Sequence, residues 1–263
     1  MREPKPKKFL GQVFLIDKNI QRKLIVASGL SPEEYVLEIG AGKGELTELI
    51  AKVGCKVFAL EIDELLYEKL KEKFKEHKNV VIIKKNILDF NIKRYFDKIT
   101  DDKIKVMGNI PYYITTPIIL HLIKYRDKIK DAFLTVQKEF ALRVVSDAGS
   151  KSYGAFSCYV QYYTDPEILF FIKKQSFYPT PEVDSCFLRL SFKEKYSLTK
   201  DEEKKLFKLI RTAFNQRRKT LRNSLKGLVP LLKINKFLKD FHIPSDIRPE
   251  KLSLRDFINL VKY

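Results

Sequence analysis

Four residues carry the clearest chemistry in the chain: Asn109-Ile110-Pro111-Tyr112. They follow Ile104-Lys105-Val106-Met107-Gly108, an apolar run that reads as a buried strand. At the carboxyl end of a strand, such a quartet can hold a flat exocyclic amine. The Asn109 side-chain oxygen and the Ile110 carbonyl accept its two N–H bonds, Pro111 stiffens the turn by fixing φ, and Tyr112 offers a ring face for a base. An arylamine lone pair is delocalised into its ring, so the nitrogen is a poor nucleophile. Two acceptors aimed at it favour the pyramidal geometry that attacks. Alone, the quartet more often marks an ordinary proline turn. Tyr113 beside it reads as packing on the sheet.

A second cluster supplies a partner for that amine. Gly40, Gly42 and Gly44 form a G-x-G-x-G turn between an apolar strand, residues 35–39, and a helical stretch, residues 45–53. Glycine permits the tight turn and lets a ligand press on bare backbone. A dinucleotide fingerprint needs Gly where Glu45 stands, and a P-loop needs Lys followed by Ser or Thr, whereas Lys43 precedes Gly44. Glu45 at a helix start also opposes a pyrophosphate. Glu61 closes the next strand and can accept ribose hydroxyls. Turn and carboxylate together describe a nucleoside site without a diphosphate, which S-adenosylmethionine (SAM) fits.

The elements that position these residues alternate. Strands are predicted at residues 35–39, 56–62, 79–84, 104–108, 132–136, 167–173 and 185–191, with helices at 19–27, 45–53, 63–76, 116–123 and 138–146. Strands separated by helices of this length imply right-handed crossovers and a mainly parallel, seven-stranded sheet, an α/β architecture. After a charged linker, residues 193–199, everything reads as helix. The expected organisation is a basic arm over 1–12, a SAM-binding catalytic domain over 13–195 and a small all-α RNA-binding domain over 196–263.

Charge indicates the partner. The 263 residues carry a formal +18, with pI near 9.6. From Lys200 onward, 17 Lys and Arg face 7 Asp and Glu, so +10 of the +18 lies in about a quarter of the chain. That asymmetry favours a polyanion such as nucleic acid. Leu206, Ile210, Ala213, Phe214, Leu221, Leu225 and Leu228 make one helical face, and Arg211, Arg218, Arg222 and Lys226 the opposite one. Arg217 would point into the apolar face, so a helix break is expected near Asn215-Gln216, with the Arg cluster opening a second helix. The basic arm, residues 5–8, is expected to order only on RNA. Cys55, Cys158 and Cys186 read as small core residues of a reduced compartment. With three His and no C-x-x-C or H-E-x-x-H, no metal site is expected. No apolar run reaches the roughly 18 residues of a membrane span, and no apolar signal segment opens the chain, so a cytoplasmic protein is expected.

In order, KFLGQVFLID, VLEIGAGKGELT, ALEID, GNIPYYITTPII, TVQKEFALRV, SFYPTPEVDSCFLRL and AFNQRRKTLRNSL resemble the ribosomal RNA adenine N6,N6-dimethyltransferase family, which is related to the Erm resistance methyltransferases. The resemblance runs from about Lys7 to Leu225. It implies a Rossmann-like class I SAM-dependent methyltransferase fold, and dimethylation of two adjacent adenosines near the 3′ end of small-subunit ribosomal RNA, on an immature small subunit, by a monomer. It places Gly40 and Gly42 against the cofactor, Glu61 with Ile62 at its ribose, Asn86 with Ile87 at its adenine, and Val13 and Leu15 in the arm that closes over it. Asn109 becomes the acceptor for the target amine. Tyr112 and Phe177 would sandwich the target adenine, with Lys7, Lys8, Arg211, Arg217, Arg218, Lys219 and Arg222 on RNA. Two positions depart from the family pattern: Val13 replaces Asn in the arm, and Asn86 replaces Asp, adding an NH₂ donor where a carboxylate only accepts. Those departures motivate one alternative, a small-subunit assembly factor without catalysis. An Erm-type large-subunit enzyme is the other, and QRRKTLRNSL argues against it.

Overall fold

The computed structural model describes residues 6–7, 10–216 and 218–263. Nine strands appear in chain order: β1 (Phe14–Leu15), β2 (Tyr35–Ile39), β3 (Lys56–Glu61), β4 (Val80–Lys84), β5 (Ile104–Asn109), β6 (Ile129–Gln137), β7 (Thr164–Ile172), β8 (Phe177–Tyr178) and β9 (Ser185–Phe192). The helices are α1 (Lys18–Ser28), α2 (Glu45–Val53), α3 (Glu64–Phe74), α4 (Ile92–Phe96), α5 (Thr115–Lys124), α6 (Lys138–Val144), α7 (Ala155–Tyr163), α8 (Lys200–Phe214), α9 (Leu221–Ser224), α10 (Leu231–Asp240) and α11 (Leu254–Lys262).

Seven strands form one sheet in the order β4-β3-β2-β5-β6-β9-β7. From β4 to β6 every pairing is parallel, and β9 joins β6 antiparallel. Strands β2, β3 and β5 are buried almost throughout, as strands covered on both faces must be. The chain winds outward from β2 through β3 to β4, then returns to β5 on the other side of β2. The crevice between β2 and β5 is therefore a topological switch point, where the carboxyl ends of open parallel sheets bind ligands.

Side-chain caps fix the helices around it. Asp17 accepts from the Asn19 and Ile20 N–H groups at the start of α1, and Asp63 from those of Leu65 and Leu66 at the start of α3. Gly44, at φ +79°, caps α2, and a Cβ there would stand 2.7 Å from Leu70 Cδ2 and 2.8 Å from Phe74 Cε2. The turn thus needs glycine both for its dihedral and for the approach of α3.

The chain divides into two compact units: Met1–Ala141 with Glu167–Phe192, and Leu142–Pro166 with Lys193–Tyr263. This differs from the expected boundary at 195, because α7 belongs with the helical unit. Its Tyr159, Tyr162 and Tyr163 rings lie 4.7, 5.4 and 5.7 Å from Phe207 of α8. The phenols of Tyr162 and Tyr163 both donate to Glu203. In the same unit Leu206, Ile210, Ala213, Phe214, Leu221 and Leu225 are buried, and α8 ends at Phe214, near the expected break.

Candidate active site

A cleft opens at the switch point, within the sheet-bearing unit. Its floor is the glycine turn, and its walls include Glu61 and Ile62 after β3, Asn86 and Ile87 after β4, and Asn109 to Tyr113 after β5. Gln12 and Val13 of the arm close one side.

The turn is already satisfied internally. The N–H groups of Gly40 and Ala41 both donate to the Leu60 carbonyl at 3.0 Å, and that of Gly44 to Ala41 at 2.8 Å. The Gly42 N–H donates to Glu61 Oε2 at 2.8 Å. Amides spent in this way cannot form an anion nest, so the turn is shaped for close contact rather than for phosphate.

Glu61 is buried and rigid. Its Oε1 accepts from the Ile62 and Asp63 N–H groups at 2.8 Å each. With Gly42, three of the roughly four acceptor directions of a carboxylate are used, leaving about one, on Oε2, for a ribose hydroxyl. Burial raises its pKa, and the three backbone N–H bonds work against that. A glycine floor, an apolar wall at Ile62 and Ile87, and one open carboxylate direction suit a cationic nucleoside without a diphosphate.

At the other end, Asn109 Nδ2 donates to the Val13 carbonyl at 2.7 Å. This fixes the amide so that Oδ1 remains an open acceptor, and neither Oδ1 nor the Ile110 carbonyl takes a hydrogen bond among the described residues. Two acceptors from adjacent residues therefore sit at one cleft edge. Tyr112 lines the same edge half-buried, its hydroxyl 2.6 Å from Ser185 Oγ. Burial raises the phenol pKa, with the Ser185 bond a smaller opposing influence. Tyr113, expected to pack on the sheet, is 62% exposed at the cleft mouth instead.

Three expected roles are not met by the geometry. Phe177 is 1% exposed and sits in the core, because β8 pairs antiparallel with β1 and turns Phe177 inward and the 56%-exposed Tyr178 outward. Leu15, its register partner, is buried in the same core and does not line the cleft. Lys7, assigned to RNA, forms a 2.8 Å ion pair with Asp63, which also accepts from Gln12 Nε2 at 3.2 Å. Burial would raise the Asp63 carboxyl, but Lys7, Gln12 and the Leu66 N–H outweigh it and hold it below the usual range. Asn86 lines the cleft; its Oδ1 accepts from the Leu88 N–H at 3.0 Å, and its NH₂ makes no hydrogen bond among the described residues.

The helical unit carries the other cations. Arg211, Arg218 and Lys219 are exposed and Arg222 half-buried. Arg218 and Lys219 lie between α8 and α9 rather than opening the second helix, since Thr220 is the cap of α9. Lys8 and Arg217 lie outside the described residues.

Sequence reasoning passed over Gln12, Asp63, Ser185 and Glu38. Asp63 was marked by its place before a helix, and Glu38 by being a lone charge in an apolar strand. Gln12 and Ser185 had no such signal, since their partners are distant in sequence.

Sheet order, glycine turn and switch-point cleft together define a class I, SAM-dependent methyltransferase. The chain belongs to the ribosomal RNA adenine dimethylase family, whose pattern it matches over residues 4–263. It is 40% identical over 261 residues to "Ribosomal RNA small subunit methyltransferase A" of Caldanaerobacter subterraneus subsp. tengcongensis, covering 97% of this chain and 96% of that one. Among solved structures it is similar to a dimethyladenosine transferase from Plasmodium falciparum, with TM-score 0.79, 26% identity and coverage of 94% and 95%. The 23S rRNA methyltransferase ErmE shares the fold, with TM-score 0.75, 22% identity and coverage of 95% and 100%.

Proposed function

We propose that this protein dimethylates N6 of two adjacent adenosines near the 3′ end of small-subunit ribosomal RNA, acting as a cytoplasmic monomer on immature small subunits. The observation that carries the reading is the Asn109 amide, locked by Val13 so that Oδ1 and the Ile110 carbonyl remain as paired acceptors. The name of the Caldanaerobacter relative and the +18 charge support the substrate. Among the described residues no helix is long and apolar enough to cross a membrane.

SAM supplies the methyl group, already activated on a sulfonium. Gly40 and Gly42 receive it against bare backbone, Glu61 and Ile62 hold the ribose, and Ile87 with the Asn86 NH₂ faces the adenine. The target adenine leaves its stack, and the Tyr112 ring compensates, at about 1–3 kcal/mol per stacked base. Asn109 Oδ1 and the Ile110 carbonyl accept the two amine hydrogens, orient the lone pair, and spread the positive charge that grows on N6. Neither oxygen takes the proton, which leaves to water. Arg211, Arg218, Lys219 and Arg222 bind phosphates and set register without reading bases.

The test is tritium transfer from labelled SAM to immature small subunits, with naked ribosomal RNA and mature large subunits as controls. N6,N6-dimethyladenosine recovered from the small subunits is the expected product. Tight small-subunit binding without label would replace this reading with a non-catalytic assembly factor.

A further inference from the structure

Tyr112 is held at both ends of its side chain. Its backbone follows Pro111, whose φ of −60° is set by the pyrrolidine ring. Its hydroxyl meets Ser185 Oγ at 2.6 Å, across 73 residues of sequence. Ser185 is fully buried and is the first residue of β9, in register with Gln137, the last of β6. The anchor is therefore part of the sheet and not of a mobile loop.

Stacking alone asks only for a ring, and Phe would supply one. A phenol anchored to the sheet adds something a Phe cannot: it stops the ring turning about its side-chain torsions. A platform already in its working attitude loses less freedom when a base arrives. Directing the hydroxyl into the protein also removes it from the amine, so the phenol neither competes for Asn109 Oδ1 nor exchanges a proton with N6.

From this geometry we infer that Ser185 is a positioning residue for methyl transfer, holding the Tyr112 ring in the attitude at which the target base stacks. The inference rests on Tyr112 being that platform, and three variants separate the two ideas. Tyr112→Ala tests the platform. Tyr112→Phe and Ser185→Ala each remove the tether, the first with the ring and its packing retained, and their double variant tests whether the two hydroxyls act as one.

The measurement is tritium transfer to immature small subunits under single-turnover and steady-state conditions, with calorimetric SAM affinity and thermal midpoints alongside. Tyr112→Phe and Ser185→Ala should each lower kcat by about fivefold to tenfold, within the net worth of a neutral hydrogen bond. KM for the subunit and SAM affinity should stay within about twofold, because phosphate contacts dominate RNA binding. The double variant should be no slower than either single one. Wild-type kcat in both single variants, beside an inactive Tyr112→Ala, overturns the tether and leaves the platform standing. Losses that multiply in the double variant also overturn it. Normal transfer by Tyr112→Ala overturns the platform and the tether with it. A lowered thermal midpoint with unchanged kcat assigns the bond to stability alone, against the inference.

Discussion

Glu38 is a carboxylate in a strand that has no room for a charge. It lies 1% exposed in β2 beneath the glycine turn. Among the described residues its close partner is the Thr47 hydroxyl, which donates to Oε2 at 2.6 Å. Burial lifts its pKa from 4.5 to about 7, Thr47 and the more distant Lys73 oppose the rise, and Glu61 and Glu45 add to it. Because the folded pKa is the higher one, the folded state holds the proton more tightly than the unfolded chain. Stability from this group is full below the unfolded value, falls as pH rises through about 7, and is flat beyond. The interval from 4.5 to about 7, at roughly 1.4 kcal/mol per pH unit, amounts to about 3 kcal/mol. Glu38→Gln keeps the shape and an acceptor for Thr47 but cannot ionise. The assay is urea unfolding followed by circular dichroism from about pH 5 to about pH 8, with both proteins in the same buffers. Wild type should lose about 2–3 kcal/mol more than the variant across that range, the groups common to both cancelling. Parallel curves separated by a constant offset would refute the buried-proton argument.

Four further outcomes follow from the same geometry. Asn109→Ala should abolish methyl transfer while calorimetry finds SAM affinity nearly unchanged; loss of SAM binding would mean the residue serves the cofactor. Glu61→Ala should weaken SAM binding at least tenfold, since hydrogen bonds to a charged group are worth about 1.5–3 kcal/mol, and unchanged affinity would sink the ribose role. Gly44→Ala should cost about 1–3 kcal/mol in urea unfolding, through the clash with Leu70 and Phe74 and the positive φ. Arg218→Ala and Lys219→Ala should each reduce the salt dependence of small-subunit binding by about one phosphate contact, whereas an unchanged slope would place RNA elsewhere.

Where a signal was local, the sequence was readable. The seven sheet strands follow from short apolar runs alternating with amphipathic ones, and the cleft follows from their order. The Gly turn, Glu61 and the Asn109 quartet sit at strand ends, where chain direction alone sends them to the switch point. What was missed depended on distant contacts. Phe177 was placed on the target adenine by the family resemblance, not by its local sequence, and pairing of β8 with β1, more than 160 residues earlier in the chain, decided which face it shows. Lys7 looked like one more cation of a basic arm until Asp63 took it. Segment 142–166 was assigned to the catalytic domain, within 13–195, whereas the aromatic side of α7 matches Phe207 of α8. In each case the expectation was overruled by the burial of a ring or the pairing of a charge.

The bond from Asn109 to the Val13 carbonyl makes the arm a ligand of its own enzyme. Because the acceptor is a main-chain atom, the departure from Asn at position 13 leaves it untouched. Seating the arm and setting the amide are then a single equilibrium, and linkage makes the coupling mutual: whatever steadies one steadies the other by the same free energy. The two carboxamide hydrogens of Asn109 are distinct already, because the amide C–N bond has partial double-bond character; engaging one of them shifts its resonance, so an isotopic nitrogen label on that side chain gives magnetic resonance a direct readout of the seated arm.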